Sequence, residues 1–315
     1  MSAKNGEEMM KCFNQFTDIS SYPHIVVALG TFDGLHVGHQ MIIGHAIELA
    51  KQCGGTSVVF TFSNHPLSMI APERCPLLLM SEKEKEQLLA AMGLDILLSI
   101  PFTDDFLHLS PEAFVEALVA NLKPAHIVVG PNYTFGYKGK GTSAMLKKAG
   151  QAYGFETHVA TEVTIDGKMA SSTLIRRYIG AGDVEKAAVY LGRPFSLGGV
   201  VIHGDARGRQ LGFPTANIAI SSGMAAPTDG VYAVKVIVGG LTYDGVANMG
   251  LNPTFGGKEH RLEVYIFDFT GMLYDQEIKV IFYSRIRGEV KFHNPQELAA
   301  QIAMDVEQVR QIFRP

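Results

Sequence analysis

Two periods of apolar and polar positions divide this chain, and the change between them falls near residue 190. In the first stretch, short continuous apolar runs alternate with segments that repeat every three to four positions. Residues 25–29 (IVVAL) form one such run, β-branched and unbroken, which predicts a fully buried strand. Val37, Met41, Ile43, Ile47 and Ala50 then fall near one helical face, closed by Gly54-Gly55. Residues 58–62 predict the next strand, and Ser81 with Glu84 makes a capping box for a helix ending at Gly93. Strands over 96–100 and 126–130 frame a helix opened by Ser110-Pro111-Glu112 and stopped by Lys123-Pro124. A further helix spans 144–153 and closes on Gly154. Strands alternating with helices of this length predict a parallel sheet covered on both faces. Ligands collect at the carboxyl ends of such strands, where the 30–39 turn, the His65 loop and the 130–142 loop would converge.

Two short helices, 172–179 and 184–191, lead into a different texture. Strand patterns then follow one another directly at 199–203, 231–238, 242–248, 262–269 and 278–283, with Gly239-Gly240 as a two-residue hairpin turn. Strands without intervening helices predict antiparallel pairing in a sandwich or small barrel. The last helix opens on Asn294-Pro295-Gln296-Glu297 and carries Leu298, Ile302, Val306, Val309 and Phe313 as its core stripe. The change of period predicts two domains, 1–187 and 188–315.

Composition narrows the class. The 315 residues suffice for two cores, and 47% hydrophobic with 18% charged residues is ordinary for a folded protein. A net charge of −4 and a pI near 6.3 argue against a nucleic-acid partner. Cys12, Cys53 and Cys75 form no C-x-x-C pair and read as free thiols. No signal-type segment and no apolar run of roughly 18 residues stands out, so a cytoplasmic location is expected.

The chemistry concentrates first at Gly30-Thr31-Phe32-Asp33-Gly34-Leu35-His36-Val37-Gly38-His39, between the first strand and its helix. Unpaired first-turn N–H groups and the helix dipole favour an anion there. Glycines at 30, 34 and 38 let a phosphate approach, with His36 and His39 as donors. The two imidazoles, with His45 beyond them, also suit a metal, although no Cys, Asp or Glu at ligand spacing completes a closed set. Residues 136–142 (GYKGKGT) lack the spacing of a P-loop. Ser171-Ser172-Thr173-Leu174-Ile175-Arg176 reads either as an ordinary N-cap with a solvated arginine or as a phosphate grip.

His-Val-Gly-His at a helix start resembles the HxGH signature of the nucleotidyltransferase superfamily, and the whole turn resembles its FMN adenylyltransferase branch. The Ser171–Arg176 stretch is similar to that family's SSTxxR element, and Phe62-Ser63-Asn64-His65-Pro66 and residues 130–136 to its two flavin-side loops. The stretch departs at Met169, where a basic residue is frequent, and at Asn64, where a proline is usual. The resemblance implies a doubly wound, Rossmann-like domain. It implies catalytic roles for His36, His39 and Arg176, and nucleotide contacts from Gly30, Phe32, Asp33, Gly38, Ser172 and Thr173. Flavin contacts would come from Phe62, His65, Pro66 and Asn132.

In the second half, residues 204–217 (GDARGRQLGFPTAN) read as a glycine-punctuated surface connection. Glu263 reads as the solvent-facing member of an alternating strand. Yet Gly-Phe-Pro-Thr-Ala-Asn resembles the PTAN signature of riboflavin kinases, and Glu263 matches the position of their general base. Residues 245–250, 252–255 and 286–292 match further. That likeness implies an antiparallel barrel with a terminal helix, Mg²⁺ ligands at Thr215 and Asn217, and nucleotide contacts from Gly204, Arg209 and Gly212. It places Arg287 and Glu289 on the flavin. Together the halves resemble the prokaryotic bifunctional riboflavin kinase/FMN adenylyltransferase (FAD synthetase) family. The implied partners are riboflavin, FMN, ATP and Mg²⁺, with FAD as product and neither nucleic acid nor membrane; self-association stays open.

Overall fold

A computed structural model describes residues 9–15, 19–204, 208, 211–254 and 257–314. By contact the chain divides into two units: Met1–Pro76 with Glu82–Ala170, and Leu77–Ser81 with Ser171–Pro315.

The first unit contains β1 (Lys11–Phe13), β2 (Ile25–Leu29), α1 (Val37–Gln52), β3 (Thr56–Phe62), α2 (Leu67–Ile70), α3 (Glu82–Ala91), β4 (Ile96–Ile100) and α4 (Asp104–Leu107). It continues with α5 (Pro111–Leu122), β5 (His126–Val129), β6 (Thr134–Phe135), β7 (Gly141–Thr142), α6 (Ser143–Tyr153), β8 (Glu156–Val159), β9 (Thr164–Ile165) and β10 (Lys168–Met169). Six strands form a parallel sheet in the order β1-β4-β3-β2-β5-β8. Every residue of β2 is buried, as expected where helices cover both faces. The sequence pattern missed β1, a short edge strand with little burial. On α1 the buried set is Ile42, Ile43, Ala46, Ile47 and Ala50, so Met41 stands beside the core face rather than on it. Side-chain oxygens of Ser110 and Thr142 cap α5 and α6, and Lys123 and Gly154 end them in the left-handed region, at φ 46° and 81°. The strand order reverses where β2 lies between β3 and β5, which opens a crevice above their carboxyl ends.

The second unit holds α7 (Ser172–Gly180), α8 (Val184–Leu191), β11 (Phe195–Ile202), β12 (Thr215–Ala219), β13 (Gly230–Val238), β14 (Leu241–Thr254), β15 (Gly257–Ile266), β16 (Glu277–Arg287) and α9 (Pro295–Phe313). Its strands close into an antiparallel barrel in the order β11-β12-β15-β14-β13-β16. Gly239 and Gly240, at φ 55° and 85°, make the tight turn in which Val238 pairs with Leu241. The contact division at 170/171 falls before the change of period at 187/188 because α7 packs on α8, and α8 on β11 and β16.

Two sequence expectations change here. Thr215 to Ala219 belong to a barrel strand rather than to a loop running through Asn217. On α9, Val309 is buried and Val306 and Phe313 pack against the core. Leu298 and Ile302 are half-buried. The other buried residue of α9 is Asp305, which accepts from Arg287 Nε and Nη2 at 2.8–3.1 Å. A bidentate guanidinium fork satisfies that carboxylate and anchors the helix to β16.

Candidate functional site

The turn after β2 is built tightly. Phe32 and Leu35 are held at positive φ (49° and 41°), which costs of order 1–3 kcal/mol each and persists only where surroundings enforce it. A side chain at Gly30 would meet the Phe32 ring at 2.9 Å. Asp33 and His36 are buried here, 7% and 6% exposed. His36 is the N-cap of α1: its Nδ1 accepts from the His39 N–H at 3.3 Å. The neutral ring therefore carries its proton on Nε2. His39, one turn on, stacks on His36 with ring centroids 3.6 Å apart, and meets the Phe32 ring edge-on at 5.3 Å. Gly38 leaves room for this pair, since a Cβ there would lie 3.2 Å from the His36 ring. Burial, then the neighbouring His36 and Lys85, hold the His39 imidazole well below its ordinary value. It is a neutral ring at pH 7, and its Nδ1 is buried without a hydrogen-bond partner. A buried polar atom of this kind calls for a partner, which a bound ligand or water supplies.

The imidazoles open on a cavity of about 640 Å³ within the first unit. Phe62, Phe102, Phe106 and Tyr133 give it flat apolar walls, and His65, Pro66 and Asn132 line it too. His65 Nδ1 accepts from the Leu67 N–H at 3.1 Å, so this ring also starts α2. Asn132 Nδ2 donates to Glu162 at 3.4 Å. Asn64 pairs both backbone groups of Phe102, accepting at 2.7 Å and donating at 3.1 Å. The departure from proline thus ties the loop after β3 to the loop after β4. Met169 lines the cavity in place of a basic residue.

Other expected residues lie in the second unit. Ser171 caps α7 by accepting from the Leu174 N–H, and Ser172 and Thr173 follow in its first turn. Arg176 Nε donates to the Leu77 carbonyl at 2.6 Å.

On the barrel, cross-strand register assembles the group. Asn217 pairs with Glu263 across β12 and β15, and Glu263 with Asn248 across β15 and β14. Paired residues share one face, and the neighbouring row Ala216, Val264 and Ala247 is the inward one. Glu263 is one-third exposed and takes Arg261 Nε at 3.2 Å. Asn217 is covered instead, 5% exposed, and its Oδ1 has no partner. A side chain at Gly204 would collide with the Asn217 amide and lie 2.7 Å from Arg261 Nη2. Thr215 shares the Asn217 face, two residues earlier on β12. Two neutral oxygen donors, one of them orphaned, beside a carboxylate fit a hard divalent cation such as Mg²⁺. Gly212 holds φ 86° in the connecting segment; Arg209 lies outside the described residues. Arg287 pairs with Asp305, and a Cβ at Gly250 would lie 3.0 Å from Glu289 Oε1.

Sequence reasoning passed over Lys85, which is 5% exposed, pairs with Glu82 at 2.7 Å and is charged near His39. Its only signal in the pattern is a lysine on the buried side of the α3 stripe.

Two family models match the chain. A family model described as FAD synthetase matches residues 18–174, and one described as riboflavin kinase matches 191–313. The bifunctional riboflavin kinase/FMN adenylyltransferase of Bacillus subtilis is 39% identical over 297 residues, covering 91% of this chain and 92% of that one. The Listeria monocytogenes protein of the same description is 39% identical, covering 95% of each chain. That of Escherichia coli K12 is 34% identical, covering 96% of this chain and 98% of that one. A solved structure described as a macrolide-efflux protein from Streptococcus pneumoniae superposes with a TM-score of 0.86 at 34% identity, covering 96% of this chain and 99% of that one.

Proposed function

The chain belongs to the bifunctional riboflavin kinase/FMN adenylyltransferase family, and from that premise we propose how its two sites divide the work. It converts riboflavin to FMN and FMN to FAD, using ATP as donor in both steps. In our reading residues 1–187 carry adenylyl transfer and 188–315 carry phosphorylation.

In the first unit, an FMN phosphate oxygen attacks the α-phosphorus of ATP; the new P–O bond forms as the bond to pyrophosphate breaks. His36 and His39 donate to the phosphate oxygens as neutral N–H groups, and Gly30, Phe32, Asp33 and Gly38 shape the nucleotide seat. The resemblance of the Ser171–Arg176 stretch to the SSTxxR element assigns Ser172, Thr173 and Arg176, which belong to the second unit, to phosphate binding. The ring system of FMN lies among Phe62, His65, Pro66 and Asn132. No side chain bonds covalently to substrate, so catalysis rests on position and on stabilised charge.

On the barrel, Glu263 takes the proton of the riboflavin 5′-hydroxyl as that oxygen attacks the γ-phosphorus and ADP leaves. Thr215 and Asn217 would hold Mg²⁺, which when bound neutralises charge on the triphosphate. Gly204, Gly212 and Arg209 are assigned to ATP, and Arg287 and Glu289 to the flavin side.

The observation that carries this reading is the stacked imidazole pair, His36 buried and His39 half-buried with an unpartnered Nδ1, at the mouth of an aromatic cavity. The test supplies riboflavin or FMN separately with ATP and Mg²⁺ and separates products by chromatography. His39→Ala is expected to accumulate FMN without FAD, and Glu263→Gln to make FAD only when given FMN. If either change abolished both conversions in a folded protein, the two-site division would be wrong.

A further inference from the structure

At the end of β5 away from the cavity lies a second group of chemistry-bearing side chains. His126 opens β5, Glu156 opens the neighbouring edge strand β8, and His158 follows two residues later. The parallel register pairs His126 with Glu156 and Val128 with His158, so the three side chains emerge on one face. We propose that His126, Glu156 and His158 form a binding site for a divalent transition-metal ion, Zn²⁺ being the reference case.

The donor atoms already converge. His126 Nδ1 and His158 Nε2 face each other at 3.1 Å, and one Glu156 oxygen lies 3.7 Å from the first and 3.8 Å from the second. Donors around a tetrahedral ion at about 2.0–2.2 Å stand about 3.3 Å apart, so shifts of a few tenths of an ångström seat the ion. Two imidazole nitrogens facing each other can share only one proton; a cation in their place satisfies both lone pairs and the carboxylate together. Burial, with His126 and His45 adding to it and Glu156 opposing, lowers the His158 pKa, which keeps that ring a neutral ligand at pH 7. Two imidazoles with one carboxylate suit Zn²⁺, Co²⁺, Ni²⁺ or Cu²⁺ over Mg²⁺ or Ca²⁺. The Glu156 side chain is 67% exposed, which leaves an entry path. His45, on α1, adds a third imidazole edge-on to His158 at 5.5 Å between centroids. None of these residues belongs to the flavin or ATP assignments, so this ion would join β5 to the sheet edge independently of substrate.

The test uses the full, untagged chain freed of metal, titrated with Zn²⁺ against a chromophoric chelator, and melted with and without the ion. One Zn²⁺ per chain is expected, with affinity reduced tenfold or more in His126→Ala and in His158→Ala and retained in His39→Ala. Zn²⁺ should raise the melting temperature of the parent protein and not that of His158→Ala. Glu156→Gln, at an exposed position, keeps the fold and should weaken binding about tenfold. Equal affinity in the parent, His158→Ala and Glu156→Gln overturns the site, as does loss of Zn²⁺ binding in His39→Ala.

Discussion

The two candidate centres are made by different parts of protein physics. In the first unit, one local stretch does most of the work: a strained turn, an N-capping histidine and the next turn of the same helix bring His36 and His39 together within four residues. On the barrel nothing local suffices. Asn217, Glu263 and Asn248 come from three strands and meet only because those strands pair in one register. The first arrangement sets neutral donors beside a cavity with aromatic walls. The second sets a carboxylate, one-third exposed, next to a covered amide oxygen. A site encoded in ten consecutive residues is legible as a motif, whereas a site encoded in pairing is legible only once the sheet is known.

The strongest way to break this contrast is to remove the barrel carboxylate. Glu263→Gln should lower FMN formation from riboflavin by roughly a hundred- to ten-thousandfold, the usual worth of a general base. The rate of FAD formation from supplied FMN should stay within about twofold, and both rates are read from initial velocities. His39→Ala should lower FAD formation from FMN about a hundredfold, or about 3 kcal/mol of barrier, while riboflavin phosphorylation is kept.

A finer test is Gly204→Ala, whose new methyl group must displace the Asn217 amide or the Arg261 guanidinium. Kinase velocity at low MgATP should fall about tenfold, as expected for a group shifted from its productive position, while the melting temperature changes little. Unchanged kinetics would remove Asn217 from the Mg²⁺ assignment.

The smallest expected effect concerns pH. His39 is depressed in the fold, so the unfolded chain binds its proton first, near pH 6.5. The associated stability is complete above that value and is lost as pH falls toward the depressed folded value. Thermal melts from pH 7 to 5 should therefore drop more steeply for the parent protein than for His39→Gln. By the same reasoning, adenylyl transfer should show no loss between pH 7 and 8 from deprotonation of this ring, because it donates as a neutral group.

Much of the first unit was readable because each element signals itself. Ser110-Pro111 and Lys123 bound α5, and continuous apolar runs mark strands covered on both faces. The barrel was harder. β12 is only five residues long and follows directly on Gly212-Phe213-Pro214, so its alternation of Thr215, Ala216, Asn217 and Ile218 reads as the end of a loop; pairing with β11 and β15 makes it a strand. The α9 stripe passed over Asp305, polar in sequence but buried by its partner Arg287, which no spacing rule connects to it. Likewise the inclusion of Leu77–Ser81 in the second unit depends on contacts far apart in the chain, such as Leu78 bridging Met224. Lys85 and the His126, Glu156 and His158 group were invisible for the same reason.

The row of Asn217, Glu263 and Asn248 on the outer wall has a consequence for how the protein matures. Sliding β15 by a single residue would turn Glu263 inward and expose Val264, without changing the composition or greatly changing the amount of sheet. Under the proposed assignment, a chain that closed its barrel out of step would be native-like in circular dichroism yet inert toward riboflavin. The kinase activity regained after denaturation would then count the molecules whose strands found their correct partners.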